Sequence, residues 1–246
     1  MAAFPNSTPL DQQGAGRSPT PLRIGFWICV VISVVVVIRR LFALAAPSHG
    51  GPPQMAGLDE DFASHSALTL AHIIPALFFV LLSPFVVFSR FAHLRWPEQI
   101  LFPLGAIVGL TAYAMSAFAV GGWIERSAVF FFNTLFLYSL VRAFWHRQRR
   151  QALLKRRWLL RSIAVLLGIA TTRPVMGVFF ATSAATHLAP SQFFGVAFWI
   201  GFSINTLVFE FWLRSADRRF QPQPAAVPLP GLAPQDHPGR GRGYSR

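Results

Sequence analysis

The chain has 246 residues, of which 53% are hydrophobic and 13% are charged, about half of the roughly 25% charged residues typical of a soluble domain. This composition argues against a water-soluble globular enzyme, and it excludes disorder over most of the chain because disorder requires low hydrophobicity. The formal net charge of +13 comes from basic residues that lie mostly between and after apolar stretches, which indicates lipid headgroups rather than nucleic acid as the partner.

Two polar tails flank a long apolar region. Residues 1–21 and residues 215–246 are rich in proline and glycine, so both are predicted to be disordered tails. Residues 22–214 contain apolar segments that approach the about 20 residues a helix needs to cross a bilayer core. The predicted spans are 23–45, 67–89, 98–120, 127–145, 158–183 and 192–213. The sequence therefore predicts an all-α integral membrane bundle of about six transmembrane helices.

Arginine and lysine are distributed unevenly between these segments. The loop at 146–157 is strongly basic, whereas the loops predicted on the other side hold Arg126 and the acidic run 59–61, with Arg39 and Arg40 near the end of the first span. The positive-inside rule then predicts that both termini are cytoplasmic. The lack of a large polar domain favours a multi-pass protein of a bacterial cytoplasmic membrane.

An alternative concerns the first span. Residues 24–38 form an apolar run, and residues 43–45 resemble a signal-peptidase site, so cleavage there would leave five spans. The charges of Arg39 and Arg40 between the run and that site argue against cleavage.

Motifs for catalysis and metal binding are lacking in the sequence. The single cysteine, Cys29, excludes an internal disulfide and a cysteine-based metal cluster. We find no zinc-protease, nucleophile-elbow, P-loop or dinucleotide-binding signature. No catalytic residue, metal or resident cofactor is therefore predicted, and the enzyme question stays open.

Ionisable residues inside a membrane are costly and point to function by default. Arg173 lies 15 residues after Trp158, about 22 Å along a helix, and Pro174 is expected to bend the helix beside it. His72, Arg39 and Arg40 are predicted at the same depth.

These four residues, with Asn205 near mid-membrane, are the predicted binding site for an anionic or quinone-like small molecule. The alternative is that the charges form internal ion pairs that lock the bundle. Arg161 and Glu210 are predicted at equal depth on neighbouring helices, which favours a structural salt bridge between them. Asn133 and Asn205 are expected to form hydrogen bonds between helices or to face a cavity.

Histidine pairs allow a b-type haem as an alternative. By depth the ligands would be His72 with His187, or His93 with His146. Neither pair has a diagnostic spacing.

Three stretches carry a family resemblance: AHIIPALFFVLLSPFVVFSRFAH, KRRWLLRSIAVLLGIATTRPVMG and FWIGFSINTLVFE. They resemble the bacterial predicted-membrane-protein family called domain of unknown function 2306 over about residues 67–213. The matching positions are His72, Pro84, Arg90, His93, Trp158, Arg161, Ser162, Arg173, Trp199, Asn205 and Glu210. The histidine that the family has before its RRW motif corresponds to Lys155 or Arg156 here. The resemblance therefore implies a topology more than an activity.

Three functions remain open on the sequence. The first is a protein that binds or transports a small ligand in a pocket of the outer half of the membrane. The second is a haem-bearing electron carrier, and the third is a scaffold or assembly subunit without its own ligand. The bilayer is the expected partner, and the sequence does not determine the oligomeric state.

Overall fold

The computed structural model describes residues 20–45, 63–88, 96–187 and 189–219. Within these ranges the secondary structure is helical, with no strand. The helices are α1 (Thr20–Ala45), α2 (Ser66–Val87), α3 (Trp96–Ser116), α4 (Gly122–Gln148), α5 (Ala152–Leu166), α6 (Gly168–Thr186) and α7 (Pro190–Arg219).

Six stretches of these helices are long and apolar enough to cross a membrane: α1, α2, α3, α4, α5 with α6, and most of α7. The all-α, six-helix prediction is confirmed. Helix α7 continues to Arg219, past residue 215 where a disordered tail was predicted to begin, and α1 already begins at Thr20. The rest of both predicted tails lies outside the described residues.

Helices that follow one another in the chain pack side by side. Contacts join α1 to α2, α2 to α3, α3 to α4 and α4 to α5, while α5 also packs on α2 and α6 on α1. Their interior is filled by apolar side chains such as Phe79, Phe132, Phe136, Leu159 and Ile163. Residues up to Glu210 form one unit, and the remainder of α7 belongs to a second.

The two ends of this unit differ in charge. We call one end the basic end; it contains the turn 149–151 between α4 and α5, which includes two arginines. We call the other the opposite end; it contains the turn 117–121 between α3 and α4. At the basic end the Lys155 Nζ lies 2.6 Å from the Glu98 Oε2, which ties α5 to α3. Arg156 Nη2 donates a hydrogen bond of 3.0 Å to the Val87 carbonyl of α2.

The fifth predicted span, 158–183, is interrupted at Leu167, between α5 and α6. Pro174 lies inside α6, about two turns after this interruption, and the expected bend at Pro174 stays a prediction. At this junction α7 lies close to α6, because a Cβ at Gly168 would lie 2.6 Å from Cδ1 of Phe202.

Glycines allow the backbone of α7 to lie close to the backbones of α6 and α4. A Cβ at Gly201 would lie 2.5 Å from the Cα of Thr172 on α6, and a Cβ at Gly195 would lie 2.6 Å from the backbone nitrogen of Glu125 on α4. Small residues serve this purpose in membrane helices, where close packing replaces the hydrophobic effect as the source of association.

Candidate ligand-binding site

A cavity of about 260 Å³ lies between the helices, nearer the opposite end of the bundle. Its walls are mostly apolar and include Val80, Val108, Phe132, Phe136 and Phe198. Five longer polar side chains also line it: Arg40, His72, Glu125, Asn133 and Arg173. Such a combination of apolar walls and a few polar groups is typical of small-molecule sites, although the volume is below the about 300–1,000 Å³ of drug-sized pockets.

His72 is held in a defined orientation by α3. The Thr111 hydroxyl donates to the Ile107 carbonyl at 2.7 Å, so Thr111 Oγ1 accepts a hydrogen bond from His72 Nδ1 at 2.9 Å. In a neutral imidazole with this assignment, Nε2 is then the hydrogen-bond acceptor. The ring therefore presents an acceptor atom rather than a donor to any further partner.

Arg173 is one of two arginines that line the cavity. Its Nε is buried and has no hydrogen-bond partner within the described part of the chain, and its Nη1 makes a weak contact of 3.9 Å with Met176 Sδ. Glu125, Arg39 and Arg40 are close enough to act on its charge. A buried donor without an acceptor is costly, so the guanidinium favours an incoming oxygen acceptor.

Glu125 belongs to the cavity, although the sequence analysis did not single it out. It is 8% exposed and lies in the first turn of α4, where its Oε2 accepts a hydrogen bond of 2.7 Å from the Gly121 N–H. The predicted span began at residue 127 and so placed Glu125 in a loop. The available signal was an acidic residue just before an apolar run, a pattern typical of the start of a helix.

The structure brings part of the predicted site together. His72, Arg40 and Arg173 line the same cavity. Arg39 is exposed and is not among the lining residues. The acidic run 59–61 lies outside the described residues.

The two asparagines link helices, as polar residues in membrane bundles commonly do. Asn205 does not line the cavity; its Nδ2 donates to the Ala164 carbonyl and so joins α7 to α5. Asn133 Nδ2 donates to the Gly109 carbonyl at 2.9 Å, joining α4 to α3, and this side chain also borders the cavity.

Arg161 and Glu210 form a bidentate salt bridge near the basic end. Arg161 Nε lies 2.9 Å from Glu210 Oε2, and Arg161 Nη2 lies 3.2 Å from Glu210 Oε1. The guanidinium also stacks over the Trp158 ring at 4.7 Å. This arrangement joins α5 to α7 and does not reach the cavity lining.

The histidines proposed as haem ligands are dispersed. His187 is exposed, in left-handed conformation at the end of α6, and is not part of the cavity that contains His72. His146 is buried, with Nδ1 2.6 Å from Gln151 Oε1 and Nε2 without a partner, while His93 lies outside the described residues. In the described ranges no three His, Cys, Asp or Glu side chains are grouped to hold a metal ion. The haem alternative stays a prediction.

The other family-motif positions have local roles. Pro84 is buried in α2, and Ser162 is buried and donates to the Leu159 carbonyl at 2.8 Å. Trp199 Nε1 donates to Ser127 Oγ at 3.2 Å, linking α7 to α4. Arg90 lies outside the described part of the chain.

The helices and this cavity define a class: a multi-pass helical membrane protein whose helices contact the lipid bilayer. No family model, curated protein or solved structure matches the chain. The resemblance to the family of unknown function therefore remains a prediction from the motifs.

Proposed function

We propose that the protein binds a small amphipathic molecule, anionic or quinone-like, in the cavity around His72 and Arg173. One observation supports this most directly: Arg173 lines a largely apolar cavity, and its buried Nε–H has no acceptor among the described residues. A carboxylate or a quinone carbonyl supplies the missing acceptor, while apolar walls such as Phe132 and Phe198 pack against the body of the ligand.

Glu125 is the counter-charge for Arg173 in this proposal. Its carboxylate acts on the guanidinium charge and is held by the Gly121 N–H. Arg40 lines the same cavity, and Arg40 and Arg39 act on the Arg173 charge besides Glu125. Repulsion by one carboxylate therefore does not rank the two kinds of head group, and the proposal keeps both the anionic and the quinone-like ligand.

Thermal unfolding of the detergent-solubilised protein tests the proposal, with a short-chain ubiquinone and decanoate as the probes. A ligand at about 100 times its Kd stabilises by about 2.7 kcal/mol, which corresponds to a rise in Tm of roughly 5–10 °C for a chain of this size. We expect a saturable rise with at least one of the two probes, and we expect that rise to be lost in Arg173→Leu.

Arg150→Leu is the matched control, since it removes an exposed arginine from the basic end, far from the cavity. The control should keep the full shift. A shift that persists in Arg173→Leu, or no shift with either probe, would rule out this site.

A further inference from the structure

A second arginine site lies on the surface of α4 at the basic end, independent of the cavity. The Trp145 indole is 40% exposed, and two guanidiniums converge on it. Arg142 Cζ lies 5.0 Å from the ring centroid, and Arg149 Cζ lies 3.7 Å from it. Arg142 precedes Trp145 in the chain and Arg149 follows it, so one indole positions two guanidinium groups.

Arg142 has no acidic partner among the residues that the structure describes. Over the described ranges no carboxylate forms an ion pair with Arg142 or Arg149, and Arg142 Nε is buried without a hydrogen-bond partner. Arg142 also stacks on Trp158 at 5.2 Å. The contrast is Arg161, which stacks on the same Trp158 ring but is bound by Glu210.

The position of Arg142 suits a lipid headgroup. It lies about 10 Å along α4 from the turn at 149–151, within reach of the boundary between acyl chains and headgroups. The neighbouring side chains Val141 and Phe144 are exposed and apolar, so acyl chains have a surface to pack against. Planar guanidiniums bind phosphate oxygens through paired hydrogen bonds, and indoles prefer the interface.

We propose that Arg142 and Arg149, aligned by Trp145, bind the phosphate of an anionic phospholipid at the basic end of the bundle. The apolar flanks favour a lipid over free phosphate as the source of that group. The site ties a specific lipid to α4, in addition to the general attraction between basic loops and anionic membranes.

Native mass spectrometry of the full-length protein, titrated with phosphatidylglycerol or phosphatidylcholine, tests the site. We expect phosphatidylglycerol to be retained in preference to phosphatidylcholine. Arg142→Gln should weaken its binding by about tenfold or more, because paired charge-assisted hydrogen bonds are lost.

The control is Arg150→Gln, which removes the same charge from the same end but from a residue that does not stack on an indole in the described structure. It should weaken binding by at most about fivefold, the effect of one basic residue near an anionic surface. If Arg142→Gln does not yield folded protein, the exposed Arg149→Gln replaces it, with the same expected preference over the control.

Two results would overturn the proposal. Equal weakening by Arg142→Gln and Arg150→Gln would show general surface electrostatics and no site. Displacement of the lipid by inorganic phosphate at comparable concentration would show an anion site without lipid preference.

Discussion

Arg161 and Glu210 show how a charged residue is accommodated within a membrane helix. Each side chain keeps about a quarter of its surface accessible, 25% and 29% respectively, and the two bind through paired contacts. Removing one partner leaves the other charged without this ion pair, which costs more than losing both.

We therefore expect Arg161→Leu or Glu210→Leu to lower the free energy of unfolding, by less than the about 3–5 kcal/mol of a fully buried pair because of the remaining exposure. The double change to leucine should be milder than either single change. Denaturant titration in detergent, followed by circular dichroism, measures all three variants. Additive losses would contradict an interacting pair.

The environment of Glu125 in the structure differs from the one that the sequence predicts. In the sequence it is an acid beside Arg126 in what reads as a loop. In the structure it is buried, accepts a hydrogen bond from the Gly121 N–H and acts on the charge of Arg173. The difference arises because a helix that begins at Gly122 instead of residue 127 turns the carboxylate inward.

At the scale of the helices, glycine decides how closely α7 approaches α6. Gly201 leaves no room for a Cβ beside the backbone of Thr172, whereas a Cβ at Gly177 of α6 would meet nothing within 4 Å. The two positions form a natural pair for comparison, because both are helical glycines in neighbouring helices.

Gly201→Ala should lower the free energy of unfolding by about 1–3 kcal/mol, since α7 must move away from α6. Gly177→Ala should be neutral or stabilising by up to about 1 kcal/mol, because alanine is the better helix former. Thermal unfolding of both variants in the same detergent compares them. Equal destabilisation would show that the loss comes from the helix backbone and not from contact between helices.

At the scale of the whole molecule, the distribution of basic residues predicts the orientation. The charge bias predicts that the basic end faces the cytoplasm. Exposed residues mark the two ends: Arg150 in the turn of the basic end, and Trp123 at the start of α4.

Single cysteines at these positions, in a Cys29→Ser background, test the orientation. An impermeant maleimide should label Trp123→Cys in intact cells and Arg150→Cys after lysis alone. The reverse pattern would contradict the orientation, and labelling of both in intact cells would contradict a spanning α4.

The sequence by itself determined the class of the protein. Apolar runs of about 20 residues can satisfy their backbone hydrogen bonds in lipid as helices, so length and composition were enough to predict six spans. The depth of His72 and Arg173 could also be read, because position along a span follows from the fixed rise of a helix.

Only the tertiary structure determined the direction in which each side chain points, because the depth of a residue along its span does not specify that direction. Arg39 and Arg40 are adjacent in sequence, yet Arg40 lines the cavity and Arg39 is exposed, since neighbours on a helix point about 100° apart. The room for a side chain at Gly168 is likewise set by the close approach of Phe202 on α7. Both outcomes rest on contacts between helices distant in the chain, and a pattern within one segment does not record them.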